Sequence, residues 1–358
     1  MTEDIRYFSP GPTYVREDVR QAMTHYPVGH RGAEFKALYA SIAERLKTVF
    51  ATTGDVVTAT SSGSLAWDIG VVSSIEKDVL CLTNGAFSER FLGVCRAWGK
   101  QVDEIAVPWG RPIDPEQVRL ALRRKRYEAV TMAHSETSTG VLNPVEAIAR
   151  VVREESDALV YVDGISSVAG AEVQPEEWGI DYLFTASQKA LALPPGLAFL
   201  HTSERLRAKA ATFSSRGYYT DLLRYYEKHA AGGTITTPAT PQFWALDRQL
   251  DIVLEEGMEA RLQRHLDLRK RTEEWAAGAG FTYASTPDGA SPTVSCLRPP
   301  QGVDAPDLVK RLAAEGIVVG SGYGRFKADT FRIGHMGEVQ MKDLDGLLET
   351  IDELISQS

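Results

Sequence analysis

The chain has 358 residues, of which 43% are hydrophobic and 24% charged, and its formal net charge at pH 7 is −9. These values exclude a disordered chain and predict a large globular domain joined to a smaller one. The longest apolar stretch, residues 190–200, is too short to cross a bilayer, and no basic run is long enough to follow a nucleic-acid backbone, so we expect neither membrane nor nucleic acid as a partner.

The amino-terminal residues 1–20 form a separate segment in this interpretation. They lack a basic stretch followed by an apolar core, so a signal peptide is not expected and we predict a cytoplasmic protein. A large domain is predicted for residues 21–245 and a small domain for residues 246–358.

Short runs rich in β-branched and aromatic residues alternate with helical patterns through the large domain. One such helix is predicted at residues 34–50, where Phe35, Leu38 and Ile42 recur at helical spacing. The alternation predicts an α/β fold with a mostly parallel sheet covered on both faces. The predicted strands are residues 55–60, 78–83, 101–107, 129–134, 158–163, 182–186 and 196–201.

A long charged helical stretch at residues 243–274 is predicted to join the two domains. Beyond it, strands are predicted at residues 293–297, 317–320 and 330–333, with helices at 305–315 and 341–355. This pattern predicts a compact α+β domain at the carboxyl end.

Polar residues follow several strands, at the edge where open α/β sheets bind ligands. Ser62, Gly63 and Ser64 follow the first predicted strand and open a helix. Hydroxyls and free N–H groups at a helix amino terminus suit a phosphate, although a Ser/Gly turn of this kind also occurs as a simple helix cap.

A carboxylate and an amine emerge after two neighbouring strands. Asp163 ends the fifth predicted strand, and Lys189 follows the sixth. Singly, such residues are usually a cap and a solvated charge. Together, beside a phosphate-binding turn, they meet the requirements of pyridoxal 5'-phosphate, which needs an amine for its aldehyde, a carboxylate for its ring nitrogen and an anchored phosphate.

The chemistry of that cofactor assigns the two roles. Lys189 must lose its proton to form a Schiff base, and a desolvated site favours this by lowering a pKa that is ordinarily ~10.4. Asp163 would keep the ring nitrogen protonated. Lys189, once released, is then the base best placed to move the substrate's α-proton.

Ordered motifs along nearly the whole chain resemble the class V aminotransferases, the group that holds alanine–glyoxylate, serine–glyoxylate and phosphoserine aminotransferases. The resemblance implies the pyridoxal-phosphate-dependent fold type I, like that of aspartate aminotransferase. The motifs are Phe8-Ser9-Pro10-Gly11-Pro12, Ser62-Gly63-Ser64, Asn84-Gly85-Ala86-Phe87, His134-Ser135-Glu136-Thr137-Ser138-Thr139-Gly140-Val141, Asp163-Gly164-Ile165-Ser166-Ser167, Ser187-Gln188-Lys189, Thr237-Pro238-Ala239-Thr240-Pro241 and Phe331-Arg332-Ile333-Gly334.

The resemblance also implies the residues that contact the cofactor. They are Ser62, Gly63, Ser64 and Gln188 for the phosphate, Phe87 stacked on the ring, Ser138 on the ring hydroxyl, Asp163 on the ring nitrogen with Ile165 in the same motif, and Lys189 on the aldehyde carbon. Thr237, together with Thr234, would reach the phosphate from a second subunit, which implies a homodimer with a shared active site.

For the substrate, the resemblance implies Arg332 as the carboxylate-binding residue, and its planar fork suits a bidentate carboxylate. Without the resemblance, Arg332 would be a strand arginine in a surface salt bridge. Pro10 and Gly11 are expected beside the substrate. His30 and Arg31 resemble a segment that contacts substrate phosphate in phosphoserine aminotransferases, but a solvated pair at a helix entry fits equally well.

The three cysteines, Cys81, Cys95 and Cys296, match neither a metal knuckle nor a disulfide framework, and we expect no metal. Cys296 alone is a candidate thiol, but it lies in a strand-like run. This argues against a class V lyase or cysteine desulfurase, which carries its cysteine on a mobile loop.

The predicted function is therefore an aminotransferase that moves an amino group from alanine or serine to glyoxylate or pyruvate. Phosphoserine aminotransferase acting with 2-oxoglutarate and glutamate remains an alternative, as does 2-aminoethylphosphonate–pyruvate aminotransferase. A non-catalytic ligand-binding protein on the same scaffold is the alternative from another class.

Overall fold

A computed structural model describes residues 6–356, so residues 1–5 of the predicted amino-terminal segment lie outside it. The strands are β1 (Arg6–Phe8), β2 (Val56–Thr60), β3 (Asp78–Thr83), β4 (Gln101–Ala106), β5 (Ala129–Ala133), β6 (Ser135–Glu136), β7 (Val141–Leu142), β8 (Leu159–Asp163), β9 (Tyr182–Ala186), β10 (Leu197–Thr202), β11 (Thr282–Tyr283), β12 (Val294–Arg298), β13 (Ile317–Ser321) and β14 (Phe331–Gly334). The α-helices are α1 (Glu17–Ala22), α2 (Ala33–Val49), α3 (Ser64–Ser74), α4 (Ala86–Ala97), α5 (Pro115–Arg124), α6 (Val145–Glu155), α7 (Pro175–Trp178), α8 (Glu204–Ala211), α9 (Leu222–Ala230), α10 (Thr240–Glu256), α11 (Met258–Ala279), α12 (Ala305–Ala314) and α13 (Met341–Ser356).

The large sheet has the strand order β2-β10-β9-β8-β5-β3-β4. Strand β10 runs antiparallel to both of its neighbours, and the other pairs are parallel. Every residue of β5 and β8 is buried, as expected for central strands covered on both faces. The predicted mostly parallel sheet and its seven strands are therefore confirmed.

Alternate residues of the large sheet pack into two separate hydrophobic cores. Leu80 and Leu82 of β3 belong to one core, whereas Val79 and Cys81 belong to the other. This alternation follows from the two-residue repeat of a strand. It fixes which face each strand-end residue occupies.

A second sheet has the order β1-β13-β14-β12-β11 and carries its own core. The three strands predicted near the carboxyl end correspond to β12, β13 and β14. Strand β1 was not predicted, and it pairs parallel with β13. Because of this pairing, the segment that follows β1 enters the space between the two sheets.

The helical stretch predicted at residues 243–274 is two helices rather than one. Helix α10 ends at Glu256 and α11 begins at Met258. Gly257 lies between them with a φ of +81°, a conformation that residues with a side chain rarely adopt. The prediction of one continuous helix was wrong because it passed over this glycine.

None of the helices described in residues 6–356 is long and apolar enough to cross a membrane.

Candidate active site

A cavity of about 300 Å³ opens at the carboxyl ends of β8 and β9, beside the amino terminus of α3. It brings together nine of the residues singled out from the sequence. The lining residues are Gly11, Pro12, Ser62, Gly63, Ser64, Trp67, Phe87, Arg90, Ser135, Thr137, Asp163, Ile165, Ser166, Gln188, Lys189 and Pro195.

Lys189 is buried, and its Nζ donates a hydrogen bond of 2.6 Å to the carbonyl oxygen of Pro10. The pKa of Lys189 is lowered to about 8, chiefly by burial and next by the positive charge of Arg332, against the opposing effects of Asp163 and Glu136. Gly11 permits this close approach, since a Cβ there would lie 2.5 Å from Nζ. The amine is thus uncharged to a greater extent near neutral pH than that of an ordinary lysine.

Asp163 is buried and receives two hydrogen bonds from neutral donors. The indole N–H of Trp67 donates to Oδ2 at 3.0 Å, and the backbone N–H of Ile165 donates to Oδ1 at 2.9 Å. Burial raises the pKa of Asp163 to about 7, although both hydrogen bonds act to lower it. Such a carboxylate would be stabilised by a cationic N–H group placed in the cavity.

The amino terminus of α3 forms a small polar cradle. Ser62, Gly63 and Ser64 line the cavity where α3 begins, and the amino terminus of a helix is a favourable place for an anion. A Cβ on Gly63 would lie 2.7 Å from Cδ1 of Ile165, so the glycine leaves room for this side chain. Within residues 6–356, Oγ of Ser61 and Oε1 of Gln188 are buried without a hydrogen-bond partner.

Phe87 and Glu136 connect the cavity to helix α4. The ring centroid of Phe87 lies 5.9 Å from Nζ of Lys189. The buried Glu136 carboxylate accepts hydrogen bonds from the backbone N–H groups of Phe87 and Ser88, at 3.3 and 2.8 Å. Glu136 therefore fixes the first turn of the helix that carries the aromatic ring.

Arg332 is buried on β14, at 8% exposure, rather than in a surface salt bridge. Its Nε donates to the carbonyl oxygen of Ser321 at 2.9 Å, and Nη1 donates to that of Thr137 at 3.2 Å. Because Thr137 lines the cavity, this second hydrogen bond places the guanidinium at the cavity's margin. The guanidinium is thus oriented by backbone carbonyls and keeps further N–H groups for an anion.

Several predicted residues do not line this cavity. The hydroxyl of Ser138 donates to Oε1 of Glu136 at 2.6 Å and accepts from the backbone N–H of Ala86 at 2.9 Å. Thr137, its neighbour, is the residue of this motif that lines the cavity together with Ser135. The other predicted residues that do not line the cavity are Pro10, Arg332, Thr234, Thr237, His30 and Arg31.

The three cysteines and two histidines, His134 and His335, are buried. Burial raises the pKa of Cys296 to about 11, so its thiol stays protonated near neutral pH, and Cys81 and Cys95 are buried in the core. Burial lowers the pKa values of His134 and His335 to about 4, so both are neutral. These features agree with structural roles for the three cysteines.

Trp67, Arg90 and Glu136 were not singled out from the sequence. Trp67 follows Ser64 by three residues, a spacing that places both on one side of a helix, and this spacing was the available signal. Arg90 bears the same relation to Phe87. Glu136 lies within a recognised motif, but its contacts with α4 depend on the fold.

Comparison with known proteins shows what the whole chain is similar to. The family model described as "Aminotransferase class-V" matches residues 7–325. A relative from Synechococcus sp. named as the small subunit of a soluble hydrogenase is 33% identical, covering 100% of this chain and 94% of its own. A serine–glyoxylate aminotransferase from Methylorubrum extorquens is 30% identical, covering 95% of this chain and 88% of its own. The crystal structure of an alanine–glyoxylate aminotransferase from Nostoc sp. matches with a TM-score of 0.93 at 27% identity, covering 99% of this chain and 96% of that one.

Proposed function

Because the chain belongs to the class V aminotransferase family, we propose that it moves the amino group of alanine or serine to glyoxylate or pyruvate, with pyridoxal 5'-phosphate at Lys189. The observation that carries the proposal is the pairing of a buried Lys189 amine with a buried Asp163 carboxylate in one cavity. Glyoxylate as acceptor is supported by the names of the relatives from Methylorubrum extorquens and Nostoc sp..

The side chains present fit this cofactor. Asp163 has a pKa raised to about 7 and neutral hydrogen-bond donors, so a protonated ring nitrogen would supply the positive charge that it lacks. The first turn of α3 suits a phosphate, and the unpartnered polar atoms of Ser61 and Gln188 lie at the same strand ends. Phe87 and Ile165 supply apolar contacts for a planar ring.

When bound, pyridoxal phosphate supplies an electron sink for the substrate's α-carbon. Lys189 is the base that would take the α-proton and return it, because its lowered pKa leaves part of the amine uncharged near pH 8. Arg332 would hold the substrate carboxylate by its fork of N–H groups. The burial of Lys189, Asp163 and Arg332 excludes water and strengthens these interactions.

We also propose a cytoplasmic homodimer in which Thr234, Thr237, His30 and Arg31 serve the partner's cavity. The first support is that none of them lines the cavity of its own subunit. The second is that the segment after Thr237 lies beside β2, the strand that precedes Ser62, because the Ala239 N–H donates to Oγ1 of Thr60 at 3.1 Å. Mixing a Lys189→Ala subunit with an Arg31→Ala, Thr237→Ala subunit should restore activity through hybrid dimers. Mixtures as inactive as the separate variants would contradict a shared site.

The two-domain division at residue 245 also belongs to this proposal. The separate core of the second sheet supports a second domain, although Leu246, Leu250 and Val253 of α10 pack in the core of the large sheet. The segment at residues 1–20 is proposed to line the site, because Pro10 accepts the Lys189 hydrogen bond and Gly11 lines the cavity.

The test is the visible absorption spectrum of the purified protein during additions of alanine, serine, phosphoserine, glutamate and 2-aminoethylphosphonate. We expect a band from protein-bound cofactor that alanine or serine depletes and that glyoxylate or pyruvate restores. Lys189→Ala should not retain the covalently bound cofactor, whereas Lys270→Ala, which changes an exposed lysine on α11, should behave as the unchanged protein.

Other spectroscopic results would replace or refute the proposed reaction. Depletion by phosphoserine and glutamate alone would replace this proposal with the phosphoserine reaction, and depletion by 2-aminoethylphosphonate alone would indicate the phosphonate reaction. Ligand affinity that survives Lys189→Ala with no turnover in the unchanged protein would indicate a binding protein. A protein that stays colourless after incubation with pyridoxal phosphate would refute the cofactor assignment.

A further inference from the structure

The short segment at residues 322–326, between β13 and β14, crosses from the second sheet to the large domain. Arg325 donates to Oε1 of Glu89 at 2.7 Å, and its guanidinium lies 5.2 Å from the ring centroid of Trp109. Phe326 makes an edge contact with the same ring, with centroids 5.4 Å apart. These contacts anchor the segment beside the first turn of α4, which carries Phe87.

Tyr323 lies in this segment and contacts the candidate site on two sides. Its ring is stacked on that of Phe87, with centroids 5.5 Å apart and an interplanar angle of 18°. The guanidinium carbon of Arg332 lies 5.5 Å from the Tyr323 ring centroid. The hydroxyl of Tyr323 accepts a hydrogen bond of 2.8 Å from Nη2 of Arg90, which lines the cavity.

The contacts of Tyr323 with Phe87 and with Arg332 define where a substrate would meet the Tyr323 ring. A substrate whose carboxylate is on Arg332 and whose amino group is at Lys189 spans the gap between these residues, and Phe87 lies 5.9 Å from the Lys189 amine. Tyr323, in contact with both Phe87 and Arg332, therefore adjoins the third substituent of the α-carbon, which is the side chain.

We propose that Tyr323 is a specificity-determining residue that forms the wall of the substrate side-chain pocket and restricts the amino donor and the oxo acid to small side chains. This inference rests on the proposed function, because it takes Arg332 as the carboxylate anchor. It adds the residue that selects among substrates sharing that anchor.

The ring is held in place rather than free to swing aside. Arg90 fixes its hydroxyl, and Gly324, the next residue, packs so closely that a Cβ there would lie 2.6 Å from Trp109. Gly324 also has a φ of +55°. A bulky substrate side chain would have to displace Tyr323 together with these contacts.

The experiment measures the binding of two unreactive carboxylates, acetate and phenylacetate, to the cofactor-loaded protein by titration calorimetry. We expect the unchanged protein to prefer acetate. In Tyr323→Ala, phenylacetate should bind at least about tenfold more tightly than before, because burying a phenyl ring contributes more than the energy of one tenfold step. Acetate should change by less than about threefold, since both variants keep Arg332.

Tyr323→Leu provides a second, milder opening and should fall between the two in phenylacetate affinity. Tyr127→Ala is the matched control. This half-buried tyrosine also bonds a charged partner, Asp103, at 2.7 Å, and its ring centroid lies 5.1 Å from Nζ of Lys125. It precedes β5 and therefore lies at the amino ends of the parallel strands, away from the cavity. It should leave the ratio of the two affinities unchanged. Relative rates with phenylalanine and alanine as donors should move in the same direction as the affinities.

The outcomes separate the two proposals. If alanine and glyoxylate react in the unchanged protein but folded Tyr323→Ala and Tyr323→Leu keep its acetate-to-phenylacetate ratio, the role of Tyr323 is refuted and the proposed function stands. If acetate does not bind and no donor reacts, the carboxylate anchor fails and both proposals fall. A tenfold gain for phenylacetate in Tyr127→Ala would also overturn the inference, because the effect would not be local.

Discussion

Two ionisable side chains of the cavity have pKa values displaced toward neutral pH, in opposite directions. Burial lowers the pKa of Lys189 from 10.5 to about 8 and raises that of Asp163 from 3.8 to about 7. Both displacements favour the uncharged form, which is the effect of desolvation. Perturbed pairs of this kind are typical of catalytic sites.

Lys189 should react as an uncharged amine at lower pH than an ordinary lysine. The rate at which cofactor-free protein binds pyridoxal phosphate should rise as pH increases and level off above about 8, because the deprotonated fraction of Lys189 follows its lowered pKa. Stopped-flow absorbance from pH 6 to 10 would measure this rate. A rate that continues to rise toward pH 10.5 would contradict the lowered pKa.

Asp163 should make the stability of the cofactor-free protein depend on pH. Its folded-state pKa is raised from 3.8 to about 7, so between these values the folded protein binds more protons than the unfolded chain, and stability falls as pH rises. Asp163→Asn should remove this contribution. Urea unfolding from pH 4.5 to 8 should therefore show the variant gaining relative to the unchanged protein until about pH 7, then levelling.

A protonated ring nitrogen would offset the charge of Asp163. In the cofactor-loaded protein, the relative gain of Asp163→Asn should accordingly vanish or reverse. A gain that is the same at every pH would show that Asp163 does not titrate in this range.

At the scale of single elements, helix α4 depends on a carboxylate from another part of the chain. Glu136 lies on β6, and its two oxygens accept hydrogen bonds from the first-turn amides of Phe87 and Ser88 and from the hydroxyls of Ser88 and Ser138. A Cβ on Gly85 would lie 2.3 Å from Cγ of Glu136, so the glycine before the helix leaves room for this side chain. The short hairpin of β6 and β7 therefore positions the start of α4.

Glu136→Ala should destabilise the protein by about 2–3 kcal/mol, because it leaves buried N–H and O–H groups without acceptors. Chemical denaturation with cofactor present would measure the loss. Glu146→Ala, which removes an exposed carboxylate from the first turn of α6, should change stability by less than about 0.5 kcal/mol. Equal losses in the two variants would remove the positioning role of Glu136.

At the scale of the whole molecule, one fully buried arginine links the segment after Lys189 to the segment after β14. Arg261 of α11 donates to the carbonyl oxygens of Ala169 and Ala190 at 3.2 and 2.7 Å, and to the carboxylates of Glu256 and Glu338 at 2.7 and 3.0 Å. Ala190 directly follows Lys189. The hydrogen bonds of Arg261 thus link the lysine loop to the segment after β14.

Arg261→Met should lower the free energy of unfolding by about 3–5 kcal/mol, because it leaves the Glu338 carboxylate without its cation and two buried carbonyl oxygens without a donor, whereas Glu256 keeps Arg264. Arg271→Met, on the same helix, removes a half-exposed ion pair with Asp345 and should cost less than about 1 kcal/mol. Urea denaturation of both variants would measure the difference. Similar values would mean that the buried cluster does not stabilise the fold.

The sequence by itself determined the large sheet and the pairing of Asp163 with Lys189. Buried parallel strands are continuous apolar runs, and their carboxyl ends meet at one edge, so local patterns fix both the strands and the residues that follow them. The family motifs added the cradle at Ser62 and the arginine at position 332. Gly257, which separates α10 from α11, is also visible in the sequence, but a single helical stretch was predicted across it.

The tertiary structure decided what depends on contacts between distant parts of the chain. Strand β1 joins β13, Trp67 reaches Asp163, Glu136 caps α4, and Arg90 of α4 meets Tyr323 of the segment between β13 and β14. These partners are set by how the layers pack and not by any local periodicity. The displaced pKa values of Lys189 and Asp163 have the same origin, because burial is a property of the folded chain and not of the residues alone.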